Sequence, residues 1–118
     1  MTDDTMRANI MAITDKFLAV PSEFDLYEVW PEVKYDLHVA DDREVKRLTL
    51  EIVREMLRRG ARADFDCGSP TGTHHPERTP DEVLARIDRE WAALEGLPDI
   101  GDICTFEWTP DALEAYRK

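Results

Sequence analysis

The sequence predicts an α+β fold, mainly helical, as a single globular domain over 1–118 with a small two-stranded β ribbon. Three observations predict it. Apolar residues recur at helical spacing over several stretches, each opened or closed by a capping signal. Two short stretches alternate apolar with polar residues, the period of a half-buried strand. No low-complexity linker or internal repeat divides the chain, and 118 residues is the length of one domain.

Met6, Ile10, Ile13 and Phe17 form the first helical stripe, and Met11 and Leu18 widen it. Thr2 or Asp3 can cap its start. Pro21 disfavours the helical conformation at Val20, so the expected helix runs over 3–19. The stretch Ser22–Val39 fits two patterns. Leu26, Val29, Val33 and Leu37 suit a helix, whereas Val33, Tyr35, Leu37 and Val39 suit a strand. Pro31 removes a backbone donor from either. The reading adopted is a short helix from Glu23 to Trp30 and a turn-rich helix from Pro31, with helix or strand left open for 31–39.

Asp41 followed by Glu44 resembles a capping box, and Val45, Leu48, Ile52 and Met56 give the next apolar stripe. Gly60 ends that helix in the left-handed conformation, and Arg54, Arg58 and Arg59 suit the negative end of its dipole. Ala61, Ala63, Phe65 and Cys67 then alternate with polar residues as a first strand. Residues 68–78 read as a loop. Thr79, Pro80 and Glu82 make a strong helix start, followed by Leu84, Ile87, Trp91 and Leu94 on one face and by Gly96 and Pro98 as a stop. Residues 102–108 form the second strand, with Cys104, Phe106 and Trp108 on one side. Thr109-Pro110-Asp111 opens a short last helix.

Charge is the most informative property. The formal net charge is −11, and it is segregated. Between Phe17 and Asp42 stand seven acids and one base, Lys34; between Glu90 and Tyr116 stand seven acids and no Lys or Arg. Arg43–Arg62 reverses the balance, with seven bases and three acids. Such a surface repels nucleic acid and anionic membrane and attracts basic partners. The expected partner-binding residues are therefore Glu23, Asp25, Glu28 and Glu32 from the first run and Asp99, Asp102 and Glu107 from the second. Trp30 and Trp108 are the aromatic anchors expected beside them. No signal peptide and no apolar run of membrane-spanning length is evident, which implies a cytoplasmic address.

The other chemistries find less support. Glu44, Glu51 and Glu55 interleave with the bases of 43–59 at helical pairing distance, which reads as stabilisation rather than phosphate binding. Cys67, His74, His75 and Cys104 are zinc-type ligands but lack zinc-site spacing, and both cysteines fall on apolar strand faces. Ser22 and Ser69 sit in no nucleophile motif, and no phosphate loop, dinucleotide fingerprint or metalloprotease motif occurs. The expectation is a non-enzyme with no catalytic residue, no cofactor and no metal.

Three stretches carry a family likeness: Leu50–Gly60 with Ala61–Asp66, Thr79–Ile87 continuing to Trp91, and Gly101–Phe106. Together, over about residues 45–108, they resemble small acidic bacterial immunity proteins of polymorphic toxin and contact-dependent growth inhibition systems. That resemblance implies a protein that binds and blocks one cognate toxin domain, often a nuclease with a basic substrate groove. It transfers no residue roles, because such proteins share no catalytic residues and their toxin contacts vary with the toxin. The expected partner is thus a toxin protein, not nucleic acid or membrane. The alternative is a winged-helix-like regulatory or nucleic-acid-binding domain, suggested by the order helix, strand, helix, strand. A metal-dependent enzyme is the weaker alternative.

Overall fold

The computed structural model describes residues 3–20, 22–65, 79–99 and 102–108. The elements in order are α1 (Asp3–Phe17), β1 (Ser22–Asp25), α2 (Leu26–Pro31), a π-helical turn (Glu32–Asp36), α3 (Asp42–Arg58), β2 (Arg62–Asp64), α4 (Pro80–Ala92) and β3 (Thr105–Trp108). This is an α+β fold dominated by helix. The expected last helix, the loop 68–78, Cys67, His74 and His75 lie outside the described residues.

Helix α3 is the hub, touching α1, α2, α4 and the π-helical turn. Its buried face is Val45, Leu48, Thr49, Ile52, Val53 and Met56. Asp41 caps it by accepting from the Arg43 N–H at 3.0 Å. The expected capping box does not close, because the Glu44 carboxylate binds the Arg47 guanidinium instead, at 2.9 Å. A charge-assisted bond outcompetes a bond to a neutral backbone donor. At the other end Gly60 has φ 106°. The Ala61 N–H donates to Met56 O and the Gly60 N–H to Leu57 O, the paired bonds of a Schellman stop. This stop delivers the chain directly into β2. At α4, Thr79 accepts from the Glu82 N–H at 3.2 Å and Pro80 opens the helix, as the sequence predicts.

The sheet differs from expectation. It has three strands in the order β1-β3-β2, both pairings antiparallel, rather than two. The added strand, β1, occupies the start of the segment read as a helix from Glu23 to Trp30. Asp25 is the reason. Its backbone is extended (φ −95°, ψ 151°) and its carboxylate accepts from the Tyr27 N–H, while Glu28 accepts from the Asp25 N–H. That capping box starts α2 at Leu26 and leaves the preceding four residues free to pair. From Pro31 the chain continues as the π-helical turn, a helical continuation of the stretch left open.

The second expected strand is also shorter, because residues 102–104 make a tight turn. The Cys104 N–H donates to Asp102 O at 2.8 Å around Ile103, whose φ is 66°. Phe65 leaves the first expected strand and lies 4.1 Å beneath the Arg86 guanidinium, a cation–π contact.

Register sets the two faces of the sheet. Phe24 opposes Phe106, which opposes Ala63, and all three are buried. The Phe17, Phe24 and Phe106 rings follow one another at 5.0 and 5.5 Å between centroids. The alternate positions, Glu23, Asp25, Thr105, Glu107, Arg62 and Asp64, therefore form the outward face. The Leu26 N–H donates to Cys104 O, in register with the β1–β3 ladder. Hydrogen-bonded pairs alternate in an antiparallel ladder, so Phe24–Phe106 is bonded and Glu23–Glu107 is not. The backbone N–H and C=O of Glu23 consequently point away from β3.

Candidate functional site

Sheet register and one side-chain bond bring the two acidic runs together. Glu23 stands directly opposite Glu107, and Asp25 opposite Thr105. The Trp30 indole N–H donates to Pro98 O at 2.8 Å, holding Pro98 against α2 across 68 residues of sequence. Next to it the Asp99 N–H donates to the Asp102 carboxylate at 2.8 Å, and the Asp102 N–H donates to Asp99 O at 3.0 Å, a turn closed by the two aspartates. The result is an outward surface made of β1, β3, α2 and this turn.

The seven carboxylates expected there are not equivalent. Asp25 and Glu28 are mutually engaged in the α2 cap, and Asp102 caps its own turn. Glu32 pairs with Lys16 of α1 at 2.7 Å, and this hydrogen bond raises the Lys16 ammonium above its usual range. Lys34, the lone base of the first run, pairs with Asp42 at 2.7 Å and is raised for the same reason. Asp99 is exposed at the turn. Glu23 and Glu107 remain: both are exposed, and neither makes an ion pair among the described residues. Arg62 opposes Glu107 from β2 but forms no ion pair with it.

Like charges directly opposite across a strand pair are destabilising, because their Cβ atoms lie only about 4.5–5.5 Å apart. The Glu23–Glu107 pair is therefore a local repulsion on the outward face, offset in part by Arg62 directly across from Glu107. A cation placed over the sheet relieves it.

The two expected aromatic anchors are removed from this surface. Trp30 is 8 % exposed and Trp108 1 %, both within the hydrophobic cluster. Their large apolar area fills the space between the sheet and the helices. The exposed aromatic rings here are Tyr27 and Tyr35, at 36 % and 60 %. Both rings pack near Trp30, with centroids 6.1 and 6.2 Å from it. Tyr35 lies among Glu32, Asp36 and Lys34 in sequence, and its lone aromatic character in a polar stretch is the signal that could have singled it out. Asp64 joins the outward sheet face, a position that its alternation with Ala63 already encodes.

The basic stretch occupies a different face. Arg43, Arg47, Glu51, Arg54 and Arg58 follow one another along exposed α3. Arg47 pairs with Glu44, Arg54 with Asp81, Arg58 with Glu55 and Lys46 with Asp88, at 2.9, 2.8, 3.0 and 2.6 Å. The Arg47 contact also lowers the Glu44 carboxyl below its ordinary range. A groove of about 580 Å³ between α3 and α4, floored by Leu50 and Leu84, is rimmed by both signs. Such pairing weakens the attraction of this face for phosphate.

Cys104 is fully buried. No three His, Cys, Asp or Glu side chains gather as a metal site among the described residues. Among the same residues, no helix is long and apolar enough to cross a membrane. Comparison with protein-family models, curated proteins and solved structures finds no match for this chain.

Proposed function

We propose that this chain is a bacterial immunity protein that acts in the cytoplasm and neutralises a cognate toxin domain of nuclease type by stoichiometric binding. The observation that carries the reading is the Glu23–Glu107 opposition on an exposed sheet face. Local conflicts of this kind concentrate at functional sites. Asp25, Glu28 and Asp99 extend the negative field around it, and Tyr27 and Tyr35 supply the amphipathic rings that interfaces favour. A nuclease binds polyanion in a basic groove. An acidic face can occupy that groove, accelerate the encounter and exclude partners of the wrong sign. A stable complex needs about 1,600 Å² of buried surface, so the face must extend beyond the sheet to α2, Asp99 and Asp102.

The reading makes stability and binding respond in opposite directions. Glu23→Gln removes one of the opposed charges and is expected to raise stability by about 0.5 kcal/mol in urea titration. The same substitution weakens association with the cognate toxin domain and makes its salt dependence shallower. Co-expression and co-purification at low salt test the reading directly. Protection by the wild-type chain and capture of the toxin are the expected results. Neither protection nor capture at low salt overturns it.

A further inference from the structure

We infer that the open edge of β1 receives an extended, basic segment of the partner as a fourth strand of the sheet. The inference rests on the docking reading above and names how the docking is made. Strand β3 is central, so β1 and β2 are both edges. The ladder directs the N–H and C=O of Glu23 outward, and no hydrogen bond to Glu23 occurs among the described residues. Ala63, the outward-directed position of β2, is already engaged. The edge is bounded on one side by the Asp25–Glu28 capping box, which takes the Asp25 N–H and turns the chain into α2. It therefore offers a short template with one donor and one acceptor at Glu23, enough to set register rather than to supply most of the affinity.

Charge selects the occupant. A strand laid along β1 places one of its side chains beside Glu23 on the outward face, at the cross-strand distance of about 4.5–5.5 Å. Lysine or arginine there neutralises Glu23 and reduces its repulsion from Glu107. A second copy of this chain paired antiparallel about Glu23 instead brings two glutamates together, and charged edges of this kind resist self-pairing.

The test uses the intact protein and a synthetic hexapeptide alternating valine and lysine, with two further versions N-methylated at odd or at even positions. Methylation keeps every charge and removes the amide donors from one edge of the peptide. Three results are expected at low salt. Amide shifts concentrate at residues 22–25. Exchange of the Glu23 amide slows at least about tenfold on peptide binding. One of the two methylated peptides binds about fivefold more weakly, the loss of one net hydrogen bond. As a protein-side check, Glu23→Pro loses more affinity than Glu23→Gln, since proline is tolerated on an edge but lacks the donor.

Equal binding of all three peptides overturns the edge assignment, as do shifts that fall elsewhere on the acidic surface. Concentration-dependent protection of Glu23 without peptide also overturns it, by showing that a second copy is the occupant. Failure of the peptide to bind at low salt overturns it as well. The docking reading is judged separately by toxin co-expression, so each can fail without the other.

Discussion

His38 closes the π-helical turn in the backbone region that glycine favours, with φ 56°. The Val39 N–H donates back to Lys34 O at 3.2 Å, so the left-handed residue is needed to complete the stop. An L side chain there costs about 1–2 kcal/mol, only part of which glycine returns through its flexible unfolded state. His38→Gly is therefore expected to raise stability by about 0.5–1 kcal/mol in urea titration, whereas His38→Val lowers it. Thr49 offers a second test. Its hydroxyl is fully buried in α3 and makes no hydrogen bond. Thr49→Val keeps the shape and is expected to gain about 1 kcal/mol, read as a higher denaturation midpoint at unchanged slope. Neither feature is visible in sequence. No local pattern marks residue 38 for a left-handed backbone or Thr49 for a buried hydroxyl without a hydrogen bond.

Helices α1, α3 and α4 were legible because their stripes are long and their ends carry capping residues. Thr79-Pro80 and Gly60 act as their spacing implies. Strand β1 was not legible. Four residues show too little alternation to compete with the helical pattern of Leu26, Val29 and Val33, and its pairing partner lies at the far end of the chain. The joints between elements are made by side chains whose partners no local pattern reveals. Arg59, with a side chain 7 % exposed, joins Glu55 of its own helix to Asp15 of α1. Lys16 joins α1 to Glu32 of the π-helical turn. The Lys16 ammonium is raised above its ordinary 10.5, first by that hydrogen bond. Its contribution is fully present below this ordinary value and is lost as pH rises through the higher folded value. Alkaline titration by NMR is expected to place Lys16 above an unfolded lysine, and Glu32→Gln returns it toward the ordinary range. For Glu44 the sign reverses. Its folded value is lowered, so its contribution holds above the ordinary 4.5 and fades on acidification through the folded value.

For the whole molecule, the sequence revealed how much acid the surface carries but not which acids meet. Glu23 and Glu107 become neighbours only through strand register. Trp30 and Trp108 were drawn toward the surface by the company of carboxylates, yet their apolar area belongs inside. The Trp30–Pro98 hydrogen bond is the long-range fastening of the two acidic segments. Trp30→Phe removes the donor and shrinks the packed volume, and is expected to lower stability by about 2 kcal/mol. Faster amide exchange at Asp102 than at the centre of α3 distinguishes a loosened segment from uniform destabilisation. The order β1-β3-β2 also bears on synthesis. The middle strand is the last of the three to leave the ribosome. Until Thr105–Trp108 has emerged, β1 and β2 have no ladder between them and Phe24 lacks its cover. The outward sheet face thus exists as a continuous surface only once the final strand has taken its place between the other two.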